Sequence, residues 1–171
     1  MPFDCIAPGV DETRLPGESG KELARRLARA KAESVMAGNK DAVVIGSDQV
    51  AVLGDDILGK PGDFETAKRQ LAAASGKSVR FYTALCVIKA ASDGDHVHVD
   101  ETVVRFRDIT EEEIIRYLEK EHALDCAGSF KSEGLGICLF DAIETDDPTA
   151  LMGMPLIALC RFLQLEGISL P

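Results

Sequence analysis

Apolar and polar positions alternate along this chain in blocks of two kinds, one with helical and one with strand spacing. Residues 3–7 form a short apolar stretch that reads as a brief strand, and Pro8, Gly9, Pro16 and Gly17 then enclose a polar loop. Leu23, Leu27, Ala30 and Ala32 follow at roughly helical spacing as far as Val35. Ser19 and Glu22 form a capping box ahead of them, which satisfies free N–H groups of the first turn, and Gly38 closes the segment. Residues 42–46 are a compact apolar run typical of a buried strand, leading through Ser47, Asp48 and Gln49 into more strand at 50–53. Gly54, Asp55 and Asp56 make a turn, Ile57 and Leu58 a short return strand, and residues 59–62 a loop.

Phe64, Ala67, Leu71 and Ala74 mark one face of a second helix over 64–75, with Gly76 where a left-handed cap is needed. Residues 79–89 and 96–107 are rich in β-formers and are joined by Ser92, Asp93, Gly94 and Asp95, the pattern of a long antiparallel hairpin. Thr110 and Glu113 cap a third helix bearing Ile114, Ile115 and Leu118. A glycine-studded loop runs from Ala127 to Gly136, residues 137–143 read as a strand, and 155–165 as a closing helix whose Leu156, Leu159, Phe162 and Leu163 suit a core. Helices alternate with strands, yet one strand pair is a hairpin. The expectation is therefore an α/β fold with a mixed twisted sheet flanked by helices, in a single domain over 1–171.

Composition narrows the functions. Nineteen Lys plus Arg against twenty-nine Asp plus Glu leave a net charge of −10. That disfavours a nucleic-acid polymer, which binds mainly through its phosphates. A small phosphorylated ligand stays open, because a bound cation inverts local charge. The start, Met1 onward, lacks the basic and apolar regions of a secretory signal, and no apolar run is long enough for a membrane span. The five cysteines are scattered without a Cys-x-x-Cys, so reduced, mostly buried thiols in a cytoplasmic protein are expected.

The chemistry-bearing candidates are few. Asp48 follows an apolar run at the expected C-terminal end of a strand, where open α/β sheets place ligands; there it would hold a divalent ion or accept a proton, or simply cap the strand. Asp11 and Glu12, if near Asp48, would complete an oxygen-rich site for Mg²⁺ or Mn²⁺; otherwise they are a solvated loop. Lys60, pinned between Gly59 and Pro61, can reach a phosphate, as any exposed lysine can. Lys131 and Glu133 lie between Gly128 and Gly134, where the backbone can approach a planar ligand. Arg105 and Arg107 share a strand face and either touch phosphate or cover the sheet. His96 and His98 also share a face, without an evident third metal ligand.

In order, Val10-Asp11-Glu12, Gly46-Ser47-Asp48-Gln49-Val50, Gly59-Lys60-Pro61, Ser75-Gly76-Lys77, Phe81-Tyr82-Thr83, Val104-Arg105-Phe106-Arg107, the run from Cys126 through Gly128, Phe130, Lys131 and Glu133 to Gly136, and Gly153-Met154-Pro155-Leu156 resemble the Maf-like nucleoside triphosphate pyrophosphatases. Gln49 and Glu133 are similar to the branch that hydrolyses 7-methyl-GTP. The resemblance implies an inosine triphosphatase-like fold and metal-dependent cleavage between the α- and β-phosphates, giving a nucleoside monophosphate and pyrophosphate. It implies Asp48 as proton acceptor, Glu12 with Asp48 at the metal (Mg²⁺ or Mn²⁺), Lys60 on the phosphates, and Gln49 and Glu133 in base choice; Lys131, read as a further substrate-binding residue, would help Lys60 balance charge on the leaving pyrophosphate. The partner it implies is a small nucleotide, with no nucleic-acid polymer and no membrane; a homodimer stays open.

Members of that family normally begin about twenty residues earlier, with a strand and a Ser-rich loop carrying arginine. Against that pattern this chain reads as N-terminally truncated, and the expectation is low activity. The alternative reading is a nucleotide-binding regulator of cell division or septum formation with little turnover.

Overall fold

The computed structural model describes residues 2–91 and 94–171. Met1 and the Ser92-Asp93 part of the expected hairpin turn lie outside the described residues. Helix α1 (Gly20–Met36) starts at Ser19, whose side chain accepts from the Glu22 N–H while the Glu22 carboxylate accepts from the Ser19 N–H. Strand β1 (Val43–Leu53) is one unbroken strand, and Gly54, at φ +63°, turns it into β2 (Asp56–Leu58). Helix α2 (Phe64–Ala74) is capped by Asp63 and ends at Gly76, at φ +66°. The long strands β3 (Ser78–Lys89) and β4 (Asp95–Phe106) follow, then α3 (Glu111–Lys120), β5 (Phe140–Glu144) and α4 (Leu156–Leu165). Three short 3₁₀ turns, Ala127–Ser129, Leu135–Leu139 and Ala150–Met152, lie in the connections.

The sheet has the order β2-β1-β3-β4-β5, and every neighbouring pair is antiparallel. The expected mixed sheet is therefore corrected. The β1–β2 turn reverses the chain and α2 returns it, so β3 enters running against β1. Residues 3–7 form no strand; Phe3 and Ile6 are 78% and 52% exposed, and the segment joins no edge of the sheet. Residues 137–139, also read as strand, are 3₁₀.

Helix α1 covers one face of the sheet, packing Leu23, Ala24, Leu27, Ala28 and Ala32 against Val44, Val50, Ala84 and Cys86. The other face carries α2 and α3 over Val79, Phe81, Val104 and Phe106, and α4 over Leu85 and Val87. Each such fully buried side chain contributes roughly 1.5–3 kcal/mol. Phe130 makes edge contacts with Phe81, Phe106 and Phe140, at centroid distances of 5.3, 5.6 and 4.7 Å. Of the cysteines, Cys86 is buried and Cys126 half-buried, while Cys5, Cys138 and Cys160 are exposed, which corrects the expectation of mostly buried thiols. No helix among the described residues is long and apolar enough to cross a membrane.

Two features of β1 prepare the site. Among the described residues it pairs with β3 along its whole length but with β2 only at 51–53, which leaves its outer edge over 43–50 without a strand. It also approaches α1 closely at Gly46, where a Cβ would lie 2.3 Å from the Ala28 carbonyl oxygen and 2.7 Å from the Ala32 nitrogen. Only glycine admits that contact, which sets the middle of α1 directly against the middle of β1.

Candidate active site

A cleft of about 630 Å³ runs along the open edge of β1. Successive residues of a strand point to opposite faces. Ser47, Asp48 and Gln49 nevertheless all line this one cleft, which therefore wraps around the strand edge. Asp48 thus sits in the middle of β1, not at its C-terminal end as expected. Glu12, Lys60, Lys131 and Glu133 line the same cleft, so the structure brings together all six residues singled out from sequence for the site.

On the α1 face, Asp48 Oδ1 accepts from Lys31 Nζ at 2.6 Å, and Glu12 Oε1 meets the same nitrogen at 2.8 Å. Lys31 was missed from sequence, where it looks like one more polar residue of a surface helix. Its meaning comes from the close packing at Gly46, which carries the helix to within reach of Asp48. Burial pushes the Asp48 carboxyl above its ordinary pKa; Lys31 and, more weakly, Lys60 pull it down without cancelling that effect. Burial works against the Lys31 ammonium, but hydrogen bonds to Asp48 and Glu12 outweigh it and hold its pKa above the usual lysine value.

The loop carrying Glu12 is fastened from behind. Arg26 forks onto both Glu18 carboxylate oxygens at 2.6 and 2.9 Å and also donates to the Thr13 carbonyl at 3.0 Å. The Arg26 hydrogen bonds bring the Glu18 carboxyl down to about 2. Lys60 stands on a loop held by two bonds, Gln70 Nε2 to the Gly59 carbonyl at 3.1 Å and Gly62 N–H to the Leu124 carbonyl at 3.0 Å.

The other face of β1 is tied to the turn at 150–153. Ser47 Oγ donates toward the Gly153 and Ala84 carbonyls, both at 2.8 Å. Gln49 Nε2 faces Thr83 Oγ1 at 2.9 Å and the Ala150 and Leu151 carbonyls, each at 3.1 Å. The Gln49 amide nitrogen is thus committed to the protein itself. Beyond it lies the loop with Lys131 and Glu133. Glu133 is exposed and accepts from Ser132 Oγ at 3.2 Å; Lys131 Nζ is 4.0 Å from Asp125.

Other candidates fall outside the cleft. Asp11 is engaged by the Thr13 N–H at 2.9 Å. Arg105 pairs with Glu144 at 3.2 Å and Arg107 with Glu113 at 3.0 Å, so both serve the sheet surface. His96 Nε2 lies 2.8 Å from Glu166 and its ring stacks on Phe162, tying α4 to the sheet.

Glu12 and Asp48 fit a hard divalent ion as a donor set. Both are carboxylates whose oxygens converge on one cation, the Lys31 ammonium, and a divalent ion held by them would share that negative charge with Lys31. No group of three His, Cys, Asp or Glu side chains gathers among the described residues. Two carboxylates with substrate phosphates and water filling the remaining positions are how Mg²⁺ is commonly held.

Residues 1–166 match the family described as Maf-like protein. The chain belongs to the Maf-like family. Among Maf-like relatives, a protein of Xanthomonas axonopodis pv. citri named 7-methyl-GTP pyrophosphatase is 54% identical over 172 residues, covering 100% of this chain and 89% of its own length. Proteins of the same name from Aromatoleum aromaticum and Alcanivorax borkumensis are 50% and 51% identical, again over 100% of this chain and 88% and 87% of theirs.

Proposed function

We propose that this Maf-like chain is a nucleotide pyrophosphatase that hydrolyses 7-methyl-GTP to 7-methyl-GMP and pyrophosphate. One observation carries the reading. A single cleft holds an acid–lysine–acid group (Glu12, Lys31, Asp48) on one side of a strand edge and an exposed glutamate on a glycine-flanked loop on the other, in a chain about half identical to proteins bearing that name.

Asp48 is the proton acceptor. Burial raises its carboxyl pKa above the ordinary aspartate value, which makes it a better base. It takes the proton of a water whose oxygen bonds to the α-phosphorus as the bridge to the β-phosphate breaks, and pyrophosphate leaves. Lys31 keeps Asp48 and Glu12 oriented and favours the carboxylate form of Asp48. Lys60 and Lys131 face the negative charge that grows on the leaving pyrophosphate. Glu12 and Asp48 would hold Mg²⁺ or Mn²⁺, which when bound neutralises phosphate charge and lowers the pKa of water.

Glu133 reads the base. Guanine offers N1–H and N2–H donors on one edge, and an ionised carboxylate only accepts, so it can take both. Methylation at N7 adds positive charge to the ring and favours a carboxylate further. Uracil and thymine alternate acceptor and donor on that edge, which suits an amide better. Glu133→Gln is therefore expected to weaken use of 7-methyl-GTP more than use of dTTP in steady-state assays; equal loss on both would remove the base-edge reading.

The direct test is pyrophosphate release from 7-methyl-GTP with Mg²⁺ and with Mn²⁺, by this chain and by its Asp48→Asn variant. Release that depends on the ion and on Asp48 supports the enzyme. Nucleotide binding without turnover favours the regulatory alternative.

A further inference from the structure

We propose that the C-terminal end of α3 sets base choice: Tyr117 and Glu121 are positioning residues that hold the loop carrying Glu133. The inference rests on the reading of Glu133 as the base-contacting residue.

The loop is fixed on both sides of Glu133. Two residues before it, the Lys131 N–H donates to Tyr117 Oη at 3.1 Å. Two residues after it, the Leu135 N–H donates to Glu121 Oε2 at 2.8 Å. Tyr117 and Glu121 are four apart and share one face of the helix end, so a single turn supplies both anchors. The Glu121 N–H itself donates to the Tyr117 carbonyl at 2.8 Å, which keeps that turn intact.

The glycines make the hold possible. A Cβ on Gly134 would lie 2.2 Å from Glu121 Oε2, so the carboxylate rests directly on the backbone beside Glu133. The Gly134 and Gly136 N–H groups both donate to the Lys131 carbonyl, at 3.3 and 3.1 Å, and close a compact turn. A Cβ on Gly136 would lie 2.3 Å from that same oxygen. The backbone around position 133 is thus held in one path while the Glu133 side chain stays exposed to the cleft.

Tyr117 is suited to the task because its ring is buried in the core with Ile114 and Leu118, so its hydroxyl is a rigid post. Burial raises the phenol to about 12, and it stays a neutral hydroxyl at any working pH. Glu121 needs only an acceptor oxygen at this place, and glutamine would supply one as well. Separating the anchor from its charge is therefore possible.

The experiment measures equilibrium binding of 7-methyl-GMP and of GMP to the full chain, and reads the ratio of the two Kd values, which needs neither turnover nor metal. Glu121→Ala and Tyr117→Phe are each expected to cut the preference for the methylated nucleotide about fivefold to tenfold, the worth of one hydrogen bond. Glu121→Gln is expected to keep it. In a Glu133→Ala background, Glu121→Ala is expected to cause no further loss, because the anchors act only through Glu133. An unchanged ratio in both anchor variants, a Glu121→Gln variant as impaired as Glu121→Ala, or full additivity with Glu133→Ala overturns the inference. If Glu133→Ala itself leaves the ratio intact, the reading of Glu133 fails instead, so the two failures are distinguishable.

Discussion

On the α1 side of the cleft, Asp48 and Lys31 hang from the middle of an eleven-residue strand and a seventeen-residue helix. On the far side, Lys131 and Glu133 ride on a loop between short 3₁₀ turns, held by α3 and by Phe130. In the proposed mechanism the first side carries proton transfer, which fails when groups are displaced by a fraction of an ångström, and regular elements position groups most closely. The second, as proposed, reads a base, a task in which a loop can vary without disturbing the chemistry. Division of labour between a fixed and an adjustable wall follows from the way each wall is built.

The comparison can be broken from either wall. The largest effect is expected from Asp48→Asn, which removes the proposed proton acceptor and should lower kcat by about 10²- to 10⁴-fold while nucleotide binding persists. Phe130→Ala attacks the far wall by emptying the aromatic cluster with Phe81, Phe106 and Phe140, and is expected to cost about 3–5 kcal/mol of unfolding free energy in denaturant titration. Gly46→Ala attacks the near wall. Its methyl meets backbone atoms of Ala28 and Ala32, which cannot swing aside, and it should cost about 1–3 kcal/mol in the same measurement and also weaken turnover by moving Lys31 from Asp48.

The smallest and sharpest test is Lys31→Met. Asp48 has a pKa raised by burial, and Lys31 pulls against that rise. Turnover needs the carboxylate, so the rate falls as pH drops through the Asp48 pKa. Without Lys31 that pKa climbs further, and the acidic limb of the kcat profile is expected to move to higher pH. An acidic limb that stays in place would show that Lys31 does not act on Asp48.

Much of this was legible in the chain. The Ser19–Glu22 and Thr110–Glu113 capping boxes marked α1 and α3, because caps are local chemistry written in adjacent residues. The long β3–β4 hairpin was likewise visible from two β-rich runs beside a turn. Strand direction was not, because the reversal at β2 and the return through α2 depend on how the pieces dock. Lys31 was hidden for the same reason: its partner Asp48 is seventeen residues away, and only the contact of Gly46 with α1 brings them together. Residues 3–7 look like a strand in composition, but a strand needs a neighbour to pair with, and composition does not report one. The six candidate residues were proposed from ordered motifs; that they share one cleft is a fact of the fold.

Gln49 makes any retargeting of this cleft a two-place problem. Its amide nitrogen has the hydroxyl of Thr83 and the backbone oxygens of Ala150 and Leu151 within reach of its two protons. A shorter side chain put there to admit another nucleobase would take a donor from the Leu151 carbonyl and leave the turn that floors the cavity held by Thr83 on Ala150 and Ser47 on Gly153 alone. A designer who wants a new specificity must rebuild that floor together with position 49.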